Sequence, residues 1–350
     1  MSILNISLVR KAFLLLTCLT FVSACSSITI KEESFLRDRQ HSTLYQLIRY
    51  EGSTKDEVSE RTYYSVEEID KSLIKLQKKG FVEYRSGGWW ITEKYRKEEP
   101  DYTTSIEKFR IQDIQSGLSE HDFSLKRIDN DRIQVAAYLS NSPKETLVIF
   151  PGNGFNIVPD ILEVKKFLAP HRNVFVMDYP GMGDSQGRLT IESLRASAKS
   201  FIDYVAVQDS VKNTKLIIYG FSLGGFVATE IASQLELDAL ILDSTAPDMQ
   251  SWVDANVPLY AKAIVNVEVD EKLKSVSNLG VISTIGCPIL FIVGADDEIT
   301  PPALMSKLES SAKNSKYTEM VILEGVSHGE SLDHSKFKTT IGTFIHNASN

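Results

Sequence analysis

A short stretch at residues 220–225, G-F-S-L-G-G, has the residue types and spacing of a catalytic serine turn. It follows an apolar run at 216–219, which predicts a strand, and precedes a run at 226–232 that predicts a helix. A chain that turns from strand to helix at one residue strains that residue, and small neighbours relieve the clash. The pattern predicts that the hydroxyl of Ser222 is exposed as a nucleophile. The backbone N–H of Leu223 then lies at the helix start, directed at whatever the serine attacks.

The elements that must position this serine alternate along the second half of the chain. Short apolar strands separated by helices indicate an α/β fold, with a mostly parallel sheet covered by helices on both faces. Apolar runs at 123–128 and 133–139 flank D-N-D at 129–131 and predict an antiparallel hairpin ahead of that sheet. The later predicted strands cover 146–150, 173–177, 215–219, 239–242, 288–293 and 319–323, and the predicted helices cover 156–168, 190–207, 223–235, 301–312 and 335–347.

Residues 119–350 resemble the α/β-hydrolase superfamily, in the branch of small-cap serine hydrolases with monoacylglycerol-lipase-like and serine-aminopeptidase-like members. The motifs that carry the resemblance are the serine turn, G-A-D-D-E-I-T-P at 294–301, G-V-S-H-G at 325–329 and P-G-N-G-F-N at 151–156. The resemblance implies the α/β-hydrolase fold. It also implies catalytic residues in the chain order serine, acid, histidine.

The base implied by the resemblance is His328. A serine hydroxyl is a weak nucleophile until a base removes its proton, so a histidine must reach Ser222. The histidines that follow Ser222 are His328, His334 and His346. His328 lies in a loop just after the last predicted strand, where this fold presents its base. His334 is expected to start the final helix and His346 lies near its end, so both are expected to be surface residues.

The resemblance also implies an acid and an oxyanion hole. The loop G-x-x-D-x-[IV]-x-P selects Asp297 as the acid that orients the histidine, and Asp243, at the end of the preceding strand, is the alternative. The N–H groups of Leu223 and Asn153 are the candidate oxyanion donors. One departure from the family pattern is Pro151, which stands where the family usually has a histidine that buttresses this loop.

Neither a cofactor nor a metal is expected. The sequence D-Y-P-G-M-G-D-S at 178–185 has two glycines after a strand, but Gly187 falls one place late for a dinucleotide fingerprint. The resemblance implies a structural loop there instead. No HExxH motif, paired cysteine motif or P-loop is found, and Cys18, Cys25 and Cys287 lie too far apart for a zinc knuckle.

The first 24 residues predict an export signal. Arg10 and Lys11 precede an uncharged, mostly apolar run at 12–24, which is too short to span a bilayer as a helix. The run ends in V-S-A-C, which resembles the bacterial lipobox. That resemblance implies a lipidated Cys25 and an anchor in the bacterial cell envelope, at the outer rather than the inner membrane because Ser26 is not aspartate. The alternative is an ordinary secretory signal. Residues 25–41 are polar and are expected to be a tether.

Residues 42–95 resemble a winged helix-turn-helix domain, a small α+β module. Thr54 with Glu57 and Ser65 with Glu68 make two capping boxes, each of which predicts a helix start. Apolar runs on both sides of S-G-G at 86–88 then predict a two-stranded wing. The charged stretch at 96–118 has no clear period and is expected to be a linker.

The charge balance argues against nucleic acid as the partner of this module. Residues 41–95 contain nine Lys/Arg and nine Asp/Glu, and the whole chain has a formal net charge of -8. We therefore interpret the module as a spacer or a contact surface for a protein partner. At 350 residues and 43% hydrophobic, the chain is long and apolar enough for one large core plus this module.

Residues 246–286 lie where this fold inserts a cap. The apolar residues of this segment are expected either to line an acyl pocket or to pack into the core. They are Trp252, Val253, Val257, Leu259, Tyr260, Ile264 and Val265.

The resemblance implies a membrane-anchored serine hydrolase that acts on a small or lipid-like carboxylic ester or thioester. Two alternatives stay open at this point: a peptidase with the same three residues, and a non-catalytic envelope lipoprotein that binds a partner through residues 42–95.

Overall fold

The structure, a computed structural model, describes residues 26–32, 39–100, 103, 123–258 and 265–348. The predicted export signal, Cys25 and most of the predicted linker lie outside the described residues. The strands are β1 (Ser26–Ile30), β2 (Val82–Arg85), β3 (Gly88–Ile91), β4 (Phe123–Ile128), β5 (Ile133–Tyr138), β6 (Glu145–Phe150), β7 (Arg172–Met177), β8 (Lys215–Phe221), β9 (Ala239–Asp243), β10 (Val265–Val269), β11 (Ile289–Gly294) and β12 (Thr318–Leu323). The helices are α1 (Arg39–Arg49), α2 (Lys55–Thr62), α3 (Val66–Lys78), α4 (Glu93–Glu98), α5 (Ile157–Lys165), α6 (Ile191–Ala206), α7 (Leu223–Ala232), α8 (Met249–Asn256), α9 (Glu271–Lys274), α10 (Leu279–Ile282), α11 (Pro302–Glu309) and α12 (Phe337–Asn347).

The described residues form two compact units. The first unit holds residues 26–32, 147–153, 215–258 and 265–348, and the second holds 39–100, 103, 123–146 and 154–214. No helix within these residues is long and apolar enough to span a bilayer.

The first unit is built on sheet strands in the order β12-β11-β9-β8-β6. The pairs β12–β11, β11–β9 and β9–β8 are all parallel. β9 and β11 are buried at every residue, because a parallel strand with helices on both faces has no solvent side. The predicted α/β class with a mostly parallel sheet is confirmed.

The second unit contains the strands β7-β5-β4, which pair in antiparallel fashion. The hairpin predicted around D-N-D is present as β4 and β5. Asp129, Asn130 and Asp131 in its turn all have positive φ, a conformation that Asn and Asp tolerate better than most residues.

The helices α1 to α3 and the β2–β3 hairpin also belong to the second unit. Both predicted capping boxes are present, at Thr54 with Glu57 and at Ser65 with Glu68. The two helices that these boxes start, α2 and α3, and the antiparallel hairpin therefore occur where the sequence predicts them, and the winged-helix assignment itself stays a prediction. α4 extends past the predicted boundary at 95. The core of this segment is formed by buried apolar residues, among them Leu44, Leu47, Ile48, Val58, Ile69, Leu73, Leu76 and Val82.

The prediction of a tether at 25–41 is wrong for the part that the structure describes. Residues 26–30 form β1, which pairs in parallel with β10 in register from Ser26 opposite Val265 to Ile30 opposite Val269. The sequence S-S-I-T-I is polar in composition but carries β-branched residues that favour a strand. At the other end of this range, α1 already begins at Arg39.

The end of the chain also differs from its prediction. His334 does not start the final helix: it follows the 3₁₀ turn Ser331–Asp333, and α12 begins at Phe337. The helices predicted at 156–168, 223–235 and 301–312 end three residues early, because a composition pattern does not mark the last hydrogen-bonded turn.

Candidate active site

Ser222 lies at the sharp turn that the sequence predicts, between the end of β8 and the start of α7. Its backbone has φ 52° and ψ -114°, a strained conformation for a residue with a side chain. Two hydrogen bonds hold it there. The N–H of Ser222 donates to the carbonyl of Asp243 at 2.9 Å, and its own carbonyl accepts from Thr245 Oγ1 at 2.8 Å.

The glycines around Ser222 allow the strand and the helix to approach closely. A Cβ at Gly224 would overlap the carbonyl of Phe150 at the end of β6, and a Cβ at Gly220 would lie 2.5 Å from the Cβ of Ala228. The G-x-S-x-G spacing is therefore required by packing on both sides of the turn.

His328 lies between Ser222 and Asp297. Its Nε2 is 3.1 Å from Ser222 Oγ, and its Nδ1 is 2.9 Å from Asp297 Oδ2. Since a carboxylate can only accept, Nδ1 carries the proton, and Nε2 is left to accept from the serine hydroxyl. The ring packs on Phe221, with centroids 5.1 Å apart. The structure thus brings together the three residues predicted as nucleophile, base and acid.

Asp297 is held as a carboxylate. Its Oδ1 accepts from the N–H groups of Ile299 and Thr300 at 2.9 and 2.8 Å, and its Oδ2 lies 2.8 Å from Thr300 Oγ1. Burial raises the pKa of Asp297, but the hydrogen bond and charge of His328, with the bonds from Thr300, outweigh burial and bring it below 3.8. Sequence reasoning missed Thr300, although T-P at 300–301 belongs to the motif that selected the aspartate.

Asp243, the alternative acid, has other partners. Its Oδ2 accepts from Tyr219 Oη at 2.7 Å, and its Oδ1 accepts from Ser244 Oγ and Ser331 Oγ at 2.9 and 3.0 Å. Burial raises the pKa of Asp243 to about 6, although these hydrogen bonds lower it. Because Ser331 belongs to the turn that follows His328, Asp243 anchors that turn, and the imidazole pairs with Asp297. No local signal in the sequence indicates this network.

Of the two candidate oxyanion donors, one belongs to the serine turn and the other to the loop that follows β6. Leu223 is the first residue of α7, where an N–H has no partner within the helix. Asn153 follows Gly152, and a Cβ at Gly152 would lie only 3.5 Å from the Cβ of Ser222. The loop that begins with Pro151 therefore runs beside the serine, as the donor assignment requires.

The other predicted residues lie elsewhere. His334 Nδ1 accepts from the N–H of Lys336, and His346 lies in the last turn of α12. Of the predicted cap residues, Val253 and Val257 are buried, whereas Leu259, Tyr260 and Ile264 lie outside the described residues. Within the residues that the structure describes, no group of three or more Asp, Glu, His or Cys side chains is placed to hold a metal ion.

Known proteins share this fold. Residues 145–267 match the family described as alpha/beta hydrolase fold. The chain is 29% identical over 197 residues to protein bem46 of Schizosaccharomyces pombe, covering 53% of this chain and 65% of bem46. It is 30% identical over 197 residues to the uncharacterized membrane protein YNL320W of Saccharomyces cerevisiae, covering 55% of this chain and 68% of that protein. The solved esterase Pf2001 of Pyrococcus furiosus superposes with a TM-score of 0.51 at 16% identity, covering 65% of this chain and 91% of that one.

The sequence and the fold agree on the class of protein. The chain belongs to the alpha/beta hydrolase fold family. The similarity to these relatives covers about two thirds of their length and leaves residues 39–100 of this chain outside the family match.

Proposed function

We propose that this protein is a serine hydrolase that cleaves a carboxylic ester or thioester through an acyl-enzyme intermediate. The observation that carries the proposal is the continuous set of hydrogen-bond contacts from Ser222 Oγ through His328 to Asp297, at 3.1 and 2.9 Å. A nucleophile in contact with a base, and a base oriented by a carboxylate, is the arrangement that acyl transfer needs. Membership in the hydrolase fold family supports the same chemistry.

In the first half of the reaction, Ser222 Oγ attacks the carbonyl carbon while its proton passes to His328 Nε2. The resulting oxyanion accepts hydrogen bonds from the N–H groups of Leu223 and Asn153, each donor contributing about 10²–10³ in turnover. Asp297 stabilises the imidazolium. The tetrahedral intermediate then collapses, and His328 returns its proton to the leaving alcohol or thiol.

In the second half, a water molecule takes the place of the leaving group. His328 removes a proton from that water, which attacks the acyl-serine carbonyl. The second oxyanion uses the same two N–H donors, and collapse releases the carboxylic acid and restores the hydroxyl of Ser222.

The reaction class is tested with p-nitrophenyl esters of increasing acyl length beside aminoacyl p-nitroanilides. We expect the esters to be hydrolysed and the anilides to be hydrolysed far more slowly, and we expect Ser222→Ala to abolish turnover. A preference for the anilides would show a peptidase with the same three residues. Ester hydrolysis that persists in Ser222→Ala would contradict the assignment of the nucleophile.

We also propose that Cys25 is lipidated and that the protein is anchored in the bacterial cell envelope. The V-S-A-C sequence at 22–25, which spans the predicted cleavage point before Cys25, supports this, and one yeast relative is named a membrane protein. Incorporation of an alkyne fatty acid during growth, absent in Cys25→Ser, is the expected result. Equal incorporation in both chains would exclude Cys25 as the attachment point.

We also propose that residues 42–95 contact a protein partner rather than nucleic acid.

A further inference from the structure

The strand β1 connects the candidate lipid anchor to the cap with almost no free chain between them. Ser26 is the residue after Cys25, and it already pairs with Val265, the first residue of β10. If residues 25–41 were a free tether, extended chain of that length would reach roughly 55–60 Å. With β1 paired, only one peptide unit, about 3.8 Å between Cα atoms, separates Cys25 from Ser26, which is already paired with β10, the strand of the predicted cap at 246–286.

The far end of β1 is fixed as well. The N–H of Asp270, directly after β10, donates to the carbonyl of Ile30 at 2.9 Å, and the N–H of Glu32 donates to Asp270 Oδ2 at 3.3 Å. Lys272 in α9 lies 3.4 Å from the carboxylate of Glu32, whose side chain is only 11% exposed. The pairing therefore continues past the last strand residue into side-chain contacts.

The cap strand is in turn fixed to the helix that follows Asp243. The side chain of Gln250 in α8 donates to the carbonyl of Val267 at 2.9 Å and accepts from the N–H of Val269 at 3.0 Å. Since alternate residues of a strand bond to opposite neighbours, Gln250 occupies the edge of β10 away from β1.

The same helix reaches the loop of the candidate catalytic acid. Asn256 at the end of α8 donates to the carbonyl of Ile299 at 2.9 Å, and the N–H of Ile299 donates to Asp297 Oδ1. A continuous set of contacts thus runs from β1 through β10 and α8 to Asp297.

We propose that β1 holds the cap at the surface of the bilayer that receives the acyl chains of Cys25, so that the active site takes long-chain esters from that bilayer. The proposal rests on the proposed ester hydrolysis and on lipidation of Cys25. The reason is geometric: an acyl anchor that partitions into the membrane brings the residue beside it to the interface, and here that residue is part of the cap sheet. Long-chain esters are themselves concentrated in the bilayer.

The pairing is tested first by a disulfide between β1 and β10. Thr29 lies opposite Glu268 in the register, and both side chains are exposed. Thr29→Cys with Glu268→Cys should cross-link under mild oxidation. The matched control is Thr29→Cys with Asn266→Cys, two positions out of register, where the Cα atoms are about 8 Å apart and too distant for a disulfide. Equal cross-linking of both pairs, or none in the first, would overturn the proposal.

The placement of the cap is tested by measuring how strongly membrane lipids quench a fluorophore attached to the Glu268→Cys variant. The labelled protein is bound to vesicles of phosphatidylethanolamine and phosphatidylglycerol that contain spin-labelled lipids. Burial raises the pKa of the Cys287 thiol to about 11, which slows its reaction with the label. We expect the lipids to quench the label in the full lipidated chain. Insertion of a Ser-Gly linker of about 20 residues after Cys25 keeps the anchor but adds roughly 25 Å of flexible chain, and should abolish the quenching.

Two outcomes of this measurement would overturn the placement: no quenching in the parent, or equal quenching with the linker. Neither depends on activity, and Ser222→Ala should be quenched like the parent. The substrate is tested in the same vesicles with an embedded long-chain p-nitrophenyl ester. The parent should hydrolyse it about tenfold faster than the linker variant, while both hydrolyse soluble p-nitrophenyl acetate equally. Equal rates on the embedded ester would overturn the substrate class, whereas no hydrolysis of either ester would contradict the proposed function alone.

Discussion

Asp297 and Asp243 show how two buried carboxylates near one histidine take different roles. Asp297 receives the imidazole Nδ1–H and three donors from its own loop, so that its pKa lies below the ordinary value although burial alone would raise it. Asp243 receives hydroxyl groups only, and burial raises its pKa to about 6. The first therefore stays charged and can stabilise an imidazolium, whereas the second supports the turn that carries Ser331.

This difference predicts losses of activity of very different size for two isosteric substitutions. Asp297→Asn replaces the acceptor of the Nδ1 proton and favours the wrong imidazole tautomer, so kcat/KM for a p-nitrophenyl ester should fall by about 10³–10⁴. Asp243→Asn keeps the His328–Asp297 contact, and kcat/KM should fall by at most about tenfold. Rates are compared at a temperature where circular dichroism shows both variants folded. A larger loss in Asp243→Asn than in Asp297→Asn would mean that Asp243, and not Asp297, is the acid that orients His328.

At the scale of elements, the close crossing of β8, α7 and β6 depends on residues without a Cβ. Gly224→Ala should be strongly destabilising, because the added methyl group overlaps the carbonyl of Phe150 and neither backbone can move without disturbing the sheet. The matched control is Gly342→Ala, inside α12 and with no atom within 4 Å of the new Cβ. That variant should gain up to about 1 kcal/mol, because alanine favours the helix. Urea unfolding distinguishes the two, and equal effects would contradict this account of the glycines.

A second element-scale contact lies within the unit that holds α1 and the turn at 178–185. Asp184 accepts from Tyr45 Oη at 3.0 Å and lies 3.4 Å from Arg49 Nη2, and the Arg49 and Asp184 side chains are 3% and 1% exposed. Ser42 Oγ donates to the carbonyl of Gly181 at 3.0 Å. Helix α1 is thus packed on this turn through buried polar groups.

Removing one partner of this ion pair should leave a buried charge. Arg49→Met should lower the free energy of unfolding by about 3–5 kcal/mol, because the carboxylate of Asp184 then loses its counter-charge. The control is Lys199→Met, which breaks a helical pair whose side chains are 68% and 61% exposed and should cost no more than about 0.5 kcal/mol. Similar losses in the two variants would show that burial of the Arg49 pair has no energetic consequence.

At the scale of the whole molecule, Asp243 makes stability depend on pH. Its pKa of about 6 in the folded chain lies above the ordinary 3.8, so the folded state holds the proton more tightly between those values. Stability from this group is fully present below about pH 4 and is lost as the pH rises through about 6, by up to about 3 kcal/mol. Asp297 acts in the opposite direction, since its lowered pKa gives stability that is lost only as the pH falls below 3.8.

Asp243→Asn should therefore gain stability relative to the parent as the pH rises from about 4 to 7. Urea unfolding of the parent and the variant at several pH values in this range measures the difference. Parallel curves would mean that Asp243 titrates equally in the folded and unfolded chains, and would contradict the burial account of its pKa.

The parts of this molecule that the sequence predicts are those with local causes. The capping boxes at Thr54 and Ser65 and the turn at Ser222 depend on residues a few positions apart, and they occur as predicted. The contact between Ser222 and His328 joins residues 106 positions apart and was reached only through resemblance to a family. The pairing of β1 with β10 and the contact of Arg49 with Asp184 could not be predicted from the sequence. Neither a strand's pairing register nor a side chain's distant partner leaves a signal in either segment alone.

The central claim is that Ser222 is a nucleophile activated by His328. It is tested most directly by labelling the folded protein with a fluorophosphonate and identifying the modified residue by peptide mass spectrometry. We expect covalent labelling at Ser222, lost in Ser222→Ala and strongly slowed in a folded His328→Ala variant. A folded wild-type chain that stays unlabelled, or one that is labelled at another residue, would contradict it.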